Sequence, residues 1–499
     1  MNWLKREKEG LTKATLVMTE EQFQSLRSQL LQEDRLERAV FLFLGRHRRG
    51  ETLELYTHKI LTPRDGDYRK QHGAVVEPGP QYILKTLDQF QASGVVGYLH
   101  AHSHPFSSHA RFSGIDDHYL PGEIESLRRY LELLENPLSP LYARLVYGQE
   151  EPGYSAECYG LSGEKVGIVE EIRVVGKGGV RIIPSTFAPY RPVFQGCDLP
   201  VDRLNRNIRW LGADGQKRVR DTQIVICGAG GIGSALVANA RGLGFRKLTL
   251  IDPDRVEESN LNRLFGAGRK DIRRLKVKLM KREVKRIDPE ADIRAIAVPA
   301  EGPEARGAIL DGDVIVCGLD NVASRLEVQI LAARYLKPLL DLGSGIVLQK
   351  GSSRVRYMGA QATFYIPGGP CLLCQGLDVS NVISPEHREM RKALGYIDGT
   401  EETPPSVITI NSIIAGIAMD MLVKFITGFA PFPIYLRYDL LSHTAQEFTF
   451  AKKRGCPVCG HEGVEGKGDE EVEILKPAMI EKALEYSPAE EAKDGSSAQ

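Results

Sequence analysis

The sequence predicts an α/β chain of two tandem units, the second built on a doubly wound parallel sheet. Three observations predict it. Strand-like and helix-like runs alternate over residues 14–165, a Gly/Pro-punctuated stretch breaks the rhythm, and a second alternation begins near Asp221. A chain of 499 residues also exceeds what one hydrophobic core usually organises. We therefore expect a first domain over 1–168, a linker over 169–200, a second domain over 201–462 and a mobile tail over 463–499.

In the first unit "AVFLFLG" and "TLELYTHKI" read as strands, "GPQYILKTLDQFQAS" as a helix, and "GVVGYLHAHSHP" as a strand ending in histidines. In the second, "QIVICGAGGIGSALVANARGLG", "KLTLIDPD", "DVIVCGLDN" and "KPLLDLGSG" supply successive strands and turns. The run "SVITINSIIAGIAMDMLVKF" (406–425) carries Asp420 and Lys424, so it reads as a buried or interface helix and no membrane partner is expected. Sixty-five basic residues balance sixty-five acidic ones, which argues against nucleic acid as the main partner. The opening "MNWLKREKEG" leads into no apolar h-region, and a cytoplasmic location is expected.

Five of the eleven histidines fall between positions 100 and 118. Residues two apart in a strand face one side, so His102 and His104 can reach one ion, and Asp116 can add an oxygen ligand. Zinc held by three protein ligands keeps an open position and makes hydroxide available at neutral pH. Glu37, just before "AVFLFLG", is placed to act as the base, with Glu33 as the fallback. The Ser113 hydroxyl can donate to a tetrahedral oxyanion. This order, His-x-His-Pro, seven residues, Ser-x-x-Asp with an upstream Glu, resembles the JAB/MPN (JAMM) metalloproteases that act as deubiquitinases, with His102, His104, Pro105, Ser113 and Asp116 on its motif. The bland alternative is a set of histidines capping a polar loop. His100, His109 and His118 have no place in the pattern.

Gly228, Gly230, Gly231 and Gly233 follow the strand "QIVIC" and open a helix, a context in which backbone N–H groups hold phosphate. Asp252, some twenty residues on, can accept from a ribose, which suits NAD as well as ATP. A dehydrogenase is thus the rival. Asn260 and Arg263 in "SNLNR", Lys276, and Asp320 ending "DVIVCGLD" decide against it, because Arg263 and Lys276 can neutralise a triphosphate and Asp320 can hold Mg2+, and hydride transfer needs none of them.

This block resembles the Rossmann-like adenylyltransferase domain shared by ubiquitin-activating enzymes and the ThiF- and MoeB-type activators of sulfur carriers, over about residues 200–460. The resemblance implies ATP and Mg2+ as cofactors, and a homodimer in which Arg206 reaches the neighbouring subunit's ATP. Cys371, Cys374, Cys456 and Cys459 form two Cys-x-x-Cys pairs that can close a structural tetrahedral zinc site. The loop before the late apolar helix contains no cysteine, where ubiquitin-activating enzymes place their thioester nucleophile. That leaves direct transfer to a partner, an oxyester on Thr400, Thr403 or Ser406, or one of the scattered thiols Cys158, Cys197, Cys227 and Cys317.

Together these readings describe a bifunctional enzyme that trims or releases a ubiquitin-like protein with zinc and adenylates its C-terminal carboxylate with MgATP. The combination resembles fusion proteins of bacterial ubiquitin-like conjugation operons, some linked to antiphage defence, which implies a conjugating enzyme as a further partner. Two alternatives stand: an activator that turns a sulfur-carrier protein into its thiocarboxylate, and a binding scaffold with an inactive MPN domain.

Overall fold

The uninterrupted apolar run after Glu37 forms a central strand, buried on both faces through its first eight residues. The computed structural model describes residues 12–107, 110–134, 140–149, 153–186, 199–349, 354–377 and 405–469. The first sheet is built from β1 (Thr12–Thr19), β2 (Ala39–Arg49), β3 (Thr52–Leu61), β6 (Gly97–Ser103), β7 (Leu141–Tyr147), β8 (Tyr154–Tyr159), β9 (Lys165–Gly176) and β10 (Gly179–Pro184), while β4 (Tyr68–His72) and β5 (Val75–Pro78) form a separate hairpin. The order is β1-β3-β2-β6-β7-β8-β9-β10, and β9 also pairs with β1, which closes the sheet on itself. Helices α1 (Glu20–Leu30), α2 (Pro80–Ser93) and α3 (Gly114–Leu133) complete this unit.

Residues 169–176 and 179–184, expected within a linker, are strand instead, joined by a tight turn. "GIVEEIRVV" carries its apolar residues into the core of the closed sheet, and "GVRIIP" returns beside it as an antiparallel partner. The density of Gly and Pro around these strands hid the alternation. Residues 187–198 lie outside the described residues.

After α4 (Val201–Asp221) the second sheet begins: β11 (Gln223–Cys227), β12 (Lys247–Ile251), β13 (Asp292–Ile296), β14 (Val314–Cys317), β15 (Leu339–Leu348), β16 (Val355–Tyr365), β17 (Tyr435–Asp439) and β18 (Thr444–Glu447). Its order is β13-β12-β11-β14-β15-β16-β17-β18, parallel through β15 and antiparallel beyond. Helices α5 (Gly231–Leu243), α6 (Lys276–Lys285), α7 (Pro303–Leu310), α8 (Val322–Arg334) and α9 (Ile408–Thr427) flank it. The strand order reverses between β11 and β14, with β12 and β13 added on one side of β11 and β14 and β15 on the other, and such a switch point opens a crevice at the C-terminal strand ends. Helix α9 is long and apolar enough to cross a membrane, yet Ile410, Ile414, Ala418, Leu422 and Phe425 are buried in the protein, where it packs on α5.

The two sheets meet along a seam that the C-terminal segment fills. Arg46 exchanges backbone contacts with Gly468 and Asp469, the Asp469 N–H donating to the Arg46 carbonyl at 2.7 Å. A Cβ at Gly45 would sit 2.2 Å from the Lys467 carbonyl carbon, so only glycine lets the two backbones approach this closely. Residues 463–469, expected as the start of a mobile tail, are therefore wedged between the sheets, and 470–499 lie outside the described residues. Glu54, on β3, is 2% exposed and faces Arg173 at 3.1 Å and Arg49 at 3.6 Å. Across the seam lie Asp313, 3.8 Å from Arg49, and the buried Lys337, which donates to the Gly312 carbonyl.

Burial alone would push the Glu54 carboxyl up, but Lys337, Arg173 and the Tyr56 hydroxyl outweigh it and hold it at about 2, below its ordinary value of 4.5. The folded value is the lower one, so the stabilisation is complete above about pH 4.5 and drains as pH falls through about 2. Replacing Glu54 by alanine strands buried cations and is expected to cost about 3–5 kcal/mol. Urea unfolding at neutral pH checks the loss. Repeating it near pH 3 should show the wild type and the variant converging.

Candidate active sites and a cysteine centre

Strand β6 carries His102 and ends just before His104, opposite the start of β2, where Ala39 pairs with His102. The third group arrives on α3. Ser113 caps that helix: its hydroxyl accepts from the Asp116 N–H at 3.2 Å, and the Asp116 carboxylate accepts from the Ser113 N–H at 2.5 Å. This reciprocal box fixes Asp116 one turn into the helix and leaves the Ser113 O–H as a donor.

His102 Nε2 lies 3.1 Å and His104 Nε2 3.6 Å from the Asp116 oxygens. Ligands about 2.0–2.1 Å from a tetrahedral zinc stand about 3.3 Å apart, so the three atoms fit one ion. His102 Nε2 is buried with only the Asp116 carboxylate beside it and makes no well-aligned hydrogen bond among the described residues, which leaves its lone pair free to face a cation. Burial and the neighbouring His102 push the His104 imidazole down, toward the neutral form that can ligate. Burial lifts the Asp116 carboxyl, but His102 and Ser113 outweigh it and hold it well below the usual carboxylate range.

Glu37 stands just before β2, its carboxylate 3.9 Å from His104 Nε2. Burial, then the Asp116 charge, push it up to about 7, a range suited to a general base near neutral pH. Glu33 is exposed in the preceding turn and does not line the cleft. The cleft, about 1210 Å³, holds Glu37, His102, His104, Ser113 and Asp116 along one wall, with the β4–β5 hairpin contributing another.

Sequence reasoning missed that hairpin and the backing of His100. His100 Nδ1 lies 3.0 Å from Glu123, which accepts from the Tyr142 hydroxyl at 2.6 Å, and the imidazole stacks on Phe41. Glu123 follows Asp116 by seven residues on α3, a spacing that could have flagged it as sharing the helix face. His118 also lines the cleft, and His109 lies outside the described residues.

At the switch point Gly228 turns with φ 95° and Gly230 caps α5. A Cβ at Gly233 would lie 1.9 Å from the Gly228 carbonyl, so the glycines let the helix close onto the strand. Gly233→Ala is expected to cost about 1–3 kcal/mol through overpacking and to distort the turn, read as a lower urea midpoint together with weaker ATP binding.

Asp252 follows β12 directly, and its carboxylate accepts from the Ala229 N–H at 2.6 Å and the Asp254 N–H at 2.8 Å, which holds it against the turn. Burial pushes it up. Arg263 reaches Gly231, its side chain 3.4 Å from where a Cβ there would stand, and donates to the Ser259 carbonyl at 2.7 Å. Buried Asn260 caps its own short turn, accepting from the Glu257 N–H. Lys276 Nζ pairs with Asp254 at 2.7 Å. Asp320 is exposed just past β14, beside Gly318, whose N–H donates to the Cys227 carbonyl.

Asp252 and Arg263 thus meet the glycine turn of Gly228 and Gly231, Asp320 follows two residues after Gly318, whose carbonyl stands 2.9 Å from a Cβ position at Gly228, and Asn260 and Lys276 lie on flanking segments. Arg206 is exposed on α4 and is not brought to it by any described contact. Asn411, on α9, went unnoticed. It is buried, accepts from Ser344 at 3.2 Å, and its amide stands 2.2 Å from a Cβ position at Gly231.

The four cysteines converge as expected. Cys371 and Cys456 Sγ are 3.5 Å apart, Cys374 and Cys459 Sγ 3.6 Å, and all four lie within 4.8 Å of one another. Sulfurs about 2.3 Å from tetrahedral zinc stand about 3.8 Å apart, whereas a disulfide needs about 2.05 Å, so the donor set fits zinc. Cys158, Cys227 and Cys317 are buried singly, and burial pushes the Cys227 thiol up to about 12. Thr400, Thr403 and Cys197 lie outside the described residues. Ser406 precedes α9 and accepts from the Asn411 amide at 3.3 Å.

With this geometry in hand, comparison with known proteins finds that the profile of the ThiF family matches residues 204–458. The SAMP-activating enzyme E1 of Haloferax volcanii is 26% identical over 54% of this chain and 92% of its own length. The sulfur carrier protein adenylyltransferase of Thermus thermophilus is 25% identical over 52% of this chain and 92% of its own. The molybdopterin-synthase adenylyltransferase of Escherichia coli is 27% identical over 53% and 98%.

Proposed function

Because the chain belongs to the ThiF family and its second unit is an adenylyltransferase, we propose that it activates the C-terminal carboxylate of a ubiquitin-like or sulfur-carrier protein, and that its first unit is a peptidase that exposes that carboxylate. The observation that carries the reading is the approach of Asp252 and Arg263 to the glycine turn within the family match.

In the crevice, backbone N–H groups at Gly230 and Gly231 and the charges of Arg263 and Lys276 hold the triphosphate, and Asp252 receives the ribose. Mg2+ held by Asp320 would offset the phosphate charge. A carboxylate oxygen of the carrier bonds to the α-phosphorus as the bond to pyrophosphate breaks, and an acyl adenylate remains. Arg206 completes a second subunit's site in a homodimer. In the cleft, zinc held by His102, His104 and Asp116 would make water acidic enough to attack at neutral pH. Glu37 takes the proton of that water and passes it to the leaving amine, while the Ser113 O–H steadies the carbonyl oxygen as charge builds.

The sulfur-carrier route is the better supported fate of the adenylate. Relatives from Thermus thermophilus and Escherichia coli are named for sulfur-carrier and molybdopterin-synthase activation, and the loop before α9 offers no cysteine for a thioester. Conjugation is the second reading, favoured by the cleft's deubiquitinase-like motif. ATP–pyrophosphate exchange against small ubiquitin-like proteins encoded beside this one tests the shared step. Mass analysis of the carrier then separates the fates, because a thiocarboxylate gains sulfur and a conjugate gains a protein. No exchange with any such protein would defeat the reading.

A further inference from the structure

The seam has a definite place on each sheet. On the first it engages β2 from Gly45 to Arg49, whereas the histidine cleft opens at the other end of β2, beside Ala39. On the second it engages Asp313, at the start of β14, and Lys337, just before β15, whereas the glycine turn lies past the far end of β11. The Gln223 N–H, at the start of β11, donates to Asp313, which puts the near end of that strand at the seam.

A strand rises about 3.3 Å per residue, so Ala39 is about 20 Å from Gly45, and the five residues of β11 add about 17 Å. Laid end to end outward from the seam, these strand lengths put the two sites on the order of 40 Å apart, each at the end of its sheet remote from the seam. An extended tail would need about twelve residues to span that gap even in a straight line.

We propose that each carrier visits the two sites in separate binding events: it is released from the histidine cleft after trimming and rebinds at the nucleotide crevice, with no handover of its tail. The proposal rests on the reading that both sites take the same carrier. The chemistry gains from the separation. Trimming breaks a peptide C–N bond, placing the water oxygen on the carbonyl carbon and its proton on the amine. The acyl adenylate is a far better acyl donor than that peptide bond, and a site that activates water would hydrolyse it if the two faced each other.

Two measurements test this on the full-length protein. In the first, Cu2+ is loaded at the histidine site and a nitroxide-bearing ATP analogue at the crevice, and pulsed dipolar EPR reads their separation. A distance on the order of 40 Å or more is expected, and one under about 25 Å would overturn the proposal. In the second, the ubiquitin-like protein that supports exchange is made with an isotopic label and a short C-terminal extension, then incubated with ATP and a tenfold excess of the unlabelled mature form. Release dilutes the labelled adenylate about tenfold. Undiminished label would overturn separate visits while sparing the two activities. Absence of either hydrolysis or exchange would instead strike the functional reading, and the proposal with it.

Discussion

Replacing His104 by alanine is expected to lower hydrolysis of a C-terminally extended carrier by more than about 100-fold and to leave pyrophosphate exchange unchanged. Losing even a group that merely orients a metal ligand typically costs about 10–100-fold, and His104 is placed as a ligand itself. Its Nε2 stands 3.6 Å from Asp116 and 3.9 Å from Glu37, so the same change removes a corner of the ion's cage and empties the space beside the base. Metal analysis gives an independent reading: bound zinc should fall by the share held at the histidines, while the share in the cysteine cage persists. A variant that keeps its hydrolysis would remove the metal from the first unit's chemistry.

Asp320→Ala is expected to do the reverse, lowering exchange about 100-fold and sparing hydrolysis. The side chain is exposed beside the crevice and is not part of the core, so the fold should survive the change and the loss should be catalytic. Raising the Mg2+ concentration should recover part of the rate if the carboxylate serves the ion, and a rate insensitive to Mg2+ would assign it another role. If either variant lost both activities, the two sites could not be independent.

Chemistry was legible where nearness along the chain coincides with nearness in space. His102 near the end of β6 and His104 just past it are two residues apart, Ser113 and Asp116 share one helix turn, and each Cys-x-x-Cys is a local knuckle, so spacing alone could gather them. The glycine turn was legible for the same reason. Groups supplied by distant elements were not. Asn411 meets Gly231 only because α9 lies on α5, and the hairpin of residues 68–78 becomes a wall of the cleft only through the fold. The strands of 165–184 were masked by their Gly- and Pro-rich surroundings, which resemble a linker until the partner strand β1 is in place.

The wedge of residues 463–469 sets an order of assembly. On the ribosome the first sheet emerges whole long before Gly468 and Asp469 exist, so the faces of Gly45, Arg46 and Tyr335 wait unsealed while the second sheet is made. Closure waits for residues 463–469, which are made after every strand of both sheets. A truncated chain released early would carry two nearly finished units and an open joint, with raw backbone at Arg46 offered to whatever strand arrives first.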